Sequence, residues 1–109
     1  MDNKMINTHY NYPMADGTTV PMTLTFFALY QLKNKNELLY KRYNKVLSEQ
    51  ASKNYVYDEL DNMTVLYAAY CCANINNENM MTEEEFLAAC GSNRKAVGDA
   101  IKALLAPKN

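Results

Sequence analysis

The chain has 109 residues, 49% of them hydrophobic and 21% charged, with a net charge of −1. That length allows one domain with a modest core, and that apolar content excludes a disordered tail. The near-neutral balance gives the molecule as a whole no electrostatic draw toward nucleic acid or an anionic membrane.

Residues 1–21 carry turn chemistry in Asn11, Pro13, Asp16-Gly17 and Pro21. They predict a short β-hairpin or an extended arm ahead of a helical region over 22–109. Thr23 or Thr25 is placed to cap a helix through Phe26, Phe27, Leu29, Tyr30 and Leu32. A polar break is expected at Lys33-Asn34-Lys35-Asn36. The spacing of Leu39, Tyr43, Val46 and Leu47 then predicts an amphipathic helix with its basic residues outward. Ser48 to Tyr55 reads as a linker. Asp58 is an N-cap candidate for a helix to about Ala73, with Leu60, Met63, Tyr67, Tyr70 and Cys71 on one stripe. Val65, Leu66, Ala68, Ala69 and Cys72 fill most of its remaining faces, so this helix belongs at the centre of a bundle or beneath an oligomer interface.

Thr82 with Glu85 forms a capping box, Met81 is placed to staple onto Phe86, and Gly91 is a natural stop. Ser92 or Asn93 caps a last helix with Val97, Ile101, Leu104 and Leu105 on its inner face, ended by Pro107. The expected fold is therefore mainly α, a compact bundle of four to five helices with the short N-terminal hairpin or arm. Nine Tyr and seven Met with no Trp suit an interaction module built from amphipathic rings and pliable side chains.

Charge is segregated along the chain. Six basic residues lie between Lys33 and Lys53, against Glu37 and Glu49, whereas Asp58 to Glu85 holds seven acidic residues and no basic one. Such blocks either complement one another across a folded monomer or make a bipolar surface that stacks head to tail or docks a charged partner. Cys71, Cys72 and Cys90 form no disulfide framework and fit buried thiols in a reducing cytoplasm. No signal peptide is evident, and the apolar run Met63 to Ala73 falls short of the ~20 residues of a spanning helix.

Catalytic material is thin. His9 is the lone histidine and has no acid or nucleophile near it in sequence. Adjacent Cys71 and Cys72 point to different sides of a helix and cannot share a metal, and Cys90 does not complete a zinc set. An enzyme, a metal or another cofactor is not expected. Asn74, Asn76, Glu78 and Glu85 fall at calcium-loop spacing, yet Asn replaces the first Asp and Asn79 the turn glycine. A plain interhelical loop is the expectation there. Residues 82–105 also resemble a helix-turn-helix, with Arg94, Lys95 and Lys102 as candidate DNA contacts. Leu87 and Ser92 depart from that motif, and Glu83 to Glu85 adjoin the basic residues.

Five runs carry a wider likeness. They are Met22-Thr23-Leu24-Thr25-Phe26, Lys41-Arg42-Tyr43-Asn44-Lys45, Thr64-Val65-Leu66-Tyr67-Ala68-Ala69-Tyr70, Met81-Thr82-Glu83-Glu84-Glu85-Phe86-Leu87 and the ending Ala106-Pro107-Lys108-Asn109. Over residues 18–109 the chain resembles the small tail assembly chaperones of long-tailed phages and prophages of Gram-positive bacteria. The resemblance implies a helical, non-enzymatic protein of the host cytoplasm that binds the tape measure protein and recruits tail tube subunits. It also implies a gene just before that of the tape measure protein, often with a longer frameshifted form. The aromatic series Phe27, Tyr30, Tyr40 and Tyr43 reads either as the client or self-association surface or as ordinary core.

Overall fold

The computed structural model describes residues 9–105. Its hairpin is shaped by the Asp16-Gly17 turn. Thr18 donates its backbone N–H and its hydroxyl to Asp16 Oδ1 at 2.9 and 2.7 Å, and Gly17 takes a φ of 91° that a side chain resists. Strands β1 (Tyr10–Pro13) and β2 (Thr19–Met22) pair antiparallel, with Tyr12 opposite Val20. Pro13 and Pro21 point to solvent while Tyr12 and Met22 point inward, the alternation of a one-sided ribbon. The segment is thus a hairpin and not an extended arm, and its inward side chains join the core. Residues 1–8 of the expected arm lie outside the described residues.

Five helices follow: α1 (Phe26–Lys35), α2 (Glu37–Gln50), α3 (Glu59–Ala73), α4 (Glu83–Cys90) and α5 (Arg94–Leu105). Thr25 caps α1 by accepting from Ala28 N–H at 3.1 Å. The polar break is narrower than the composition implies, because α1 runs on through Lys35 and one residue makes the joint. Asn36 donates its N–H to Leu32 O at 2.7 Å and accepts from Leu39 N–H at 3.1 Å, closing one helix and opening the next. Likewise the expected linker from Ser48 begins late, since α2 continues to Gln50 before a turn over 51–54. Asp58 caps α3, and Thr82 and Glu85 exchange both bonds of a capping box on α4. Asn93 caps α5 by accepting from Ala96 N–H at 3.0 Å.

Helix α3 is the axis of the fold. Thr64 through Cys72 are buried without a break, which requires neighbours on every side. Helices α1, α2, α4 and α5 and strand β2 supply them. Two stripes turn out differently from their spacing. Leu60 lies on the exposed first turn of α3, where no neighbour covers it. In α5 the buried positions are Ala96 and Ala100, with Val97, Ile101 and Leu104 half-buried and Leu105 exposed. The small alanines turn inward because α5 packs against both α3 and β1, where a thin helix face allows close approach. Pro107 lies outside the described residues.

Two tyrosines of α3 hold the approach to α4. Tyr67 Oη donates to the Met81 carbonyl at 3.0 Å, and Tyr70 Oη accepts from the Met81 N–H at 2.8 Å. Tyr12 differs: its ring is fully buried and its hydroxyl has no hydrogen-bond partner among the described residues. Tyr70→Phe is therefore expected to cost about 1–3 kcal/mol in chemical denaturation, by stripping Met81 of its acceptor. Tyr12→Phe, which removes an unsatisfied polar atom, is expected to be neutral or stabilising by about 1 kcal/mol. Equal losses in both variants would show that the Met81 clamp carries no stability.

Charge complementation across the monomer is realised. Arg42 of α2 grips Glu83 of α4 through two bonds of 2.8 Å and reaches Thr64 Oγ1 at 3.3 Å. Its hydrogen bonds hold the Glu83 carboxyl below the usual carboxylate range. The stabilisation from this pair is present above the ordinary value and is lost as pH falls through the lowered one. Arg94 of α5 pairs with Glu59 of α3, and Lys35 Nζ reaches the Ile75 carbonyl at 3.4 Å.

Candidate protein-docking site

Helix α1 turns its small residue inward and its large rings outward. Ala28 and Leu32, one turn apart, are buried against the neighbouring helices. The opposite face carries Phe26, Phe27 and Tyr30, which are 91%, 69% and 63% exposed. Phe26, Tyr30 and Lys33 follow i, i+4, i+7 spacing, so they form one stripe with Phe27 beside it. An exposed aromatic patch on a folded domain is the ordinary mark of a docking surface.

The aromatic series of the sequence therefore divides. Phe27 and Tyr30 are surface residues. Tyr40 is half-buried beneath the Lys33 ammonium, 5.7 Å from its ring centroid. Tyr43, 4% exposed, belongs to the core stripe of α2 with Leu39 and Val46, and it is removed from the surface set. Phe26, expected in the first helix but not in the aromatic series, is the most exposed aromatic of the molecule. Adjacent phenylalanines at a helix start are compatible with either of two stripes, and the choice rests on which face meets α3.

A second exposed apolar group was not legible at all. Val56, Tyr57 and Leu60, 83%, 64% and 64% exposed, cluster at the start of α3. Beside them is a hollow of about 410 Å³ lined in part by Glu49, Tyr55, Val56, Asp58 and Asp61. Tyr55 Oη donates to Asp61 Oδ2 at 2.8 Å and accepts from Asp58 N–H at 3.2 Å, which fixes the loop against the helix.

Other sequence candidates take structural places. Arg94 is engaged by Glu59 and Lys95 by Asp99, while Lys102 is exposed. Helix α5 packs on α3 and β1. At the calcium-loop positions, Asn74 Nδ2 donates to the Tyr70 carbonyl at 2.8 Å, and Lys35 Nζ approaches Asn76 Oδ1 at 3.3 Å. Glu85 accepts from Thr82 N–H at 2.9 Å. The Asn74 and Glu85 bonds are helix caps, and the Lys35 bond ties the loop to α1. Among the described residues, no three His, Cys, Asp or Glu side chains converge to hold a metal ion. No described helix is long and apolar enough to cross a membrane. His9 is exposed just ahead of β1.

Compared with protein-family models, curated proteins and solved structures, the chain matches none. The site must be read from its own chemistry.

The three thiols are core atoms. Burial pushes Cys71 and Cys90 up to about 11 and Cys72 up to about 12. Thiolate is the reactive form, so labelling by a disulfide reagent near pH 8 is expected to be at least about a hundredfold slower in the native protein than in guanidinium. The raised values also mean that the thiols favour the fold below their ordinary 9.0. That contribution fades as pH climbs toward the folded values. Native labelling at the denatured rate would place the thiols outside the core.

Proposed function

We propose that this chain is a non-enzymatic chaperone of phage tail assembly, working in the bacterial host cytoplasm. Its clients are the tape measure protein and tail tube subunits, and it needs no cofactor. The observation that carries the reading is the outward aromatic face of α1, Phe26, Phe27 and Tyr30, on a domain whose core is already filled. Amphipathic client helices are long and repetitive, and broad rings beside a flexible cation accept them with little geometric demand. The likeness of residues 18–109 to tail assembly chaperones supplies the identity of the client. The thiols, held protonated in the core, are poor nucleophiles, in keeping with a binding role.

The runner-up, a helix-turn-helix regulator using residues 82–105, is weakened by two observations. Arg94 and Lys95 already answer carboxylates, and Glu83 to Glu85 open the neighbouring helix. Few cations remain for phosphate neutralisation.

Co-expression with a tape measure fragment, followed by light-scattering mass, tests the proposal with a DNA duplex as control. A stable complex with the fragment and indifference to DNA is the expected result. Phe27→Ser with Tyr30→Ser should keep the fold, because both side chains are exposed, and weaken the complex at least about tenfold. An unchanged complex would remove α1 from the site, and a salt-sensitive shift of DNA would favour the regulator.

A further inference from the structure

The hairpin turn joins an aspartate to a glycine, and we infer that Asp16-Gly17 is a covalent modification site. It isomerises to isoaspartate when the hairpin opens and is held back by Thr18 while the hairpin is closed. The inference concerns the turn alone and holds whatever binds α1.

The chemistry is internal to the chain. The Gly17 nitrogen attacks Asp16 Cγ and gives up its proton, and the carboxyl hydroxyl departs with a proton as water, leaving a five-membered succinimide. Water then adds back. Entry at Cγ restores aspartate, whereas entry at the Asp16 main-chain carbonyl leaves the backbone running through the side chain as isoaspartate. The water released in the first step is returned in the second, and no oxidant or reductant takes part. Glycine favours the attack because no Cβ hinders the approach of its nitrogen. Gly91 and Gly98 follow Cys90 and Val97, so Gly17 alone of the three glycines has a carboxyl before it.

The closed turn blocks the attack at both ends. Asp16 Oδ1 accepts the Thr18 N–H at 2.9 Å and the Thr18 hydroxyl at 2.7 Å, so the carboxylate is directed past Gly17 to the residue beyond it. The Gly17 N–H donates to the Met14 carbonyl at 3.1 Å, which commits the nucleophile to the turn. The Thr18 hydroxyl bond, with the backbone bond second, also holds the Asp16 carboxyl below the usual carboxylate range, and a carboxylate is a poorer electrophile than the neutral acid. Two further bonds keep the turn in place. Met14 N–H reaches the Thr18 carbonyl at 2.8 Å, and Ala15 N–H reaches the Ala89 carbonyl at 3.0 Å. A local opening of the hairpin breaks these bonds together and frees carboxyl and nitrogen at once. Asp16, Gly17 and Thr18 are exposed, so water has access to the ring once it forms.

Isoaspartate adds one carbon to the main chain, in a turn whose glycine stands at φ 91° and whose strands pair Tyr12 with Val20. Closing again must then sacrifice either the Thr18 bonds or the register that seats Tyr12 in the core. The amount of isoaspartate in an aged sample therefore records how long the hairpin has been open.

Ageing of the purified full chain at neutral pH provides the test, followed by digestion with an endoproteinase that cuts before aspartate and not before isoaspartate. The wild-type chain should convert at least about tenfold more slowly when folded than in guanidinium. Thr18→Val removes one of the two donors at an exposed position and should convert about two- to tenfold faster than wild type, the weight of one hydrogen bond. Thr18→Ser keeps the hydroxyl and should stay at the wild-type rate. If Thr18→Val fails to fold, the folded and denatured wild-type rates still decide whether the hairpin gates the reaction. Equal rates in those two states overturn the inference, and so does a denatured chain that forms no isoaspartate at Asp16. A folded Thr18→Val chain that ages at the wild-type rate overturns the part assigned to Thr18.

Discussion

Phe86→Ala is expected to cost about 3–5 kcal/mol, a large part of the roughly 5–15 kcal/mol that a domain of this size commands. Phe86 is fully buried, and its ring lies 5.3 Å from that of Tyr67 and 5.1 Å from that of Tyr70. Those tyrosines also clamp Met81, so the vacancy would loosen the loop that delivers the chain to the Thr82 cap. The eight residues of α4 are too few to hold a helix unaided. A denaturation midpoint within error of the wild type would mean that α4 is docked by its cap and the Arg42–Glu83 pair alone.

Gly91→Ala is the second large effect, about 1–3 kcal/mol from the backbone with a steric cost added. Gly91 ends α4 with φ 69° and ψ −141°, a conformation that β-carbons resist. An added Cβ would also stand 3.1 Å from the Ala15 Cβ of the hairpin turn. Ala15 N–H bonds the Ala89 carbonyl at 3.0 Å at this same junction, so the neighbour has little freedom to retreat. Gly98→Ala is the internal contrast. Gly98 lies on the exposed side of α5 with open space around its Cα, and alanine there should stabilise by about 0.5–1 kcal/mol. Thermal melts of the two variants should move in opposite directions. Parallel shifts would deny the special backbone at Gly91.

The helix caps were readable because a cap is local. Asp58, Thr82 and Glu85 bond to atoms two or three residues away, and their residue types announce it. The burial of α3 was readable for a related reason, since its faces are apolar nearly all round and leave no choice of orientation. Where a helix offers two apolar stripes, the choice passes to its neighbours. Helix α1 could have buried Phe26 and Tyr30 and instead buries Ala28 and Leu32. Helix α5 has a seam of valine, isoleucine and leucine and presses Ala96 and Ala100 inward, because it must fit between α3 and β1. Tyr43 is the converse case, counted with a surface series although its spacing with Leu39 and Val46 already belonged to the core stripe.

By itself the sequence determined the element order, the caps, the central helix and the segregation of charge, all of which are set within a few turns of chain. Only the tertiary structure decided which rings remain outside. The exposure of Phe26, Phe27 and Tyr30, and of Val56, Tyr57 and Leu60, depends on packing between elements far apart in sequence. The pairing of Arg42 with Glu83 across 41 positions was decided in the same way. Hydrophobic attraction has no direction of its own, so periodicity can name the residues that seek cover, but only the neighbouring surfaces determine which of them obtain it.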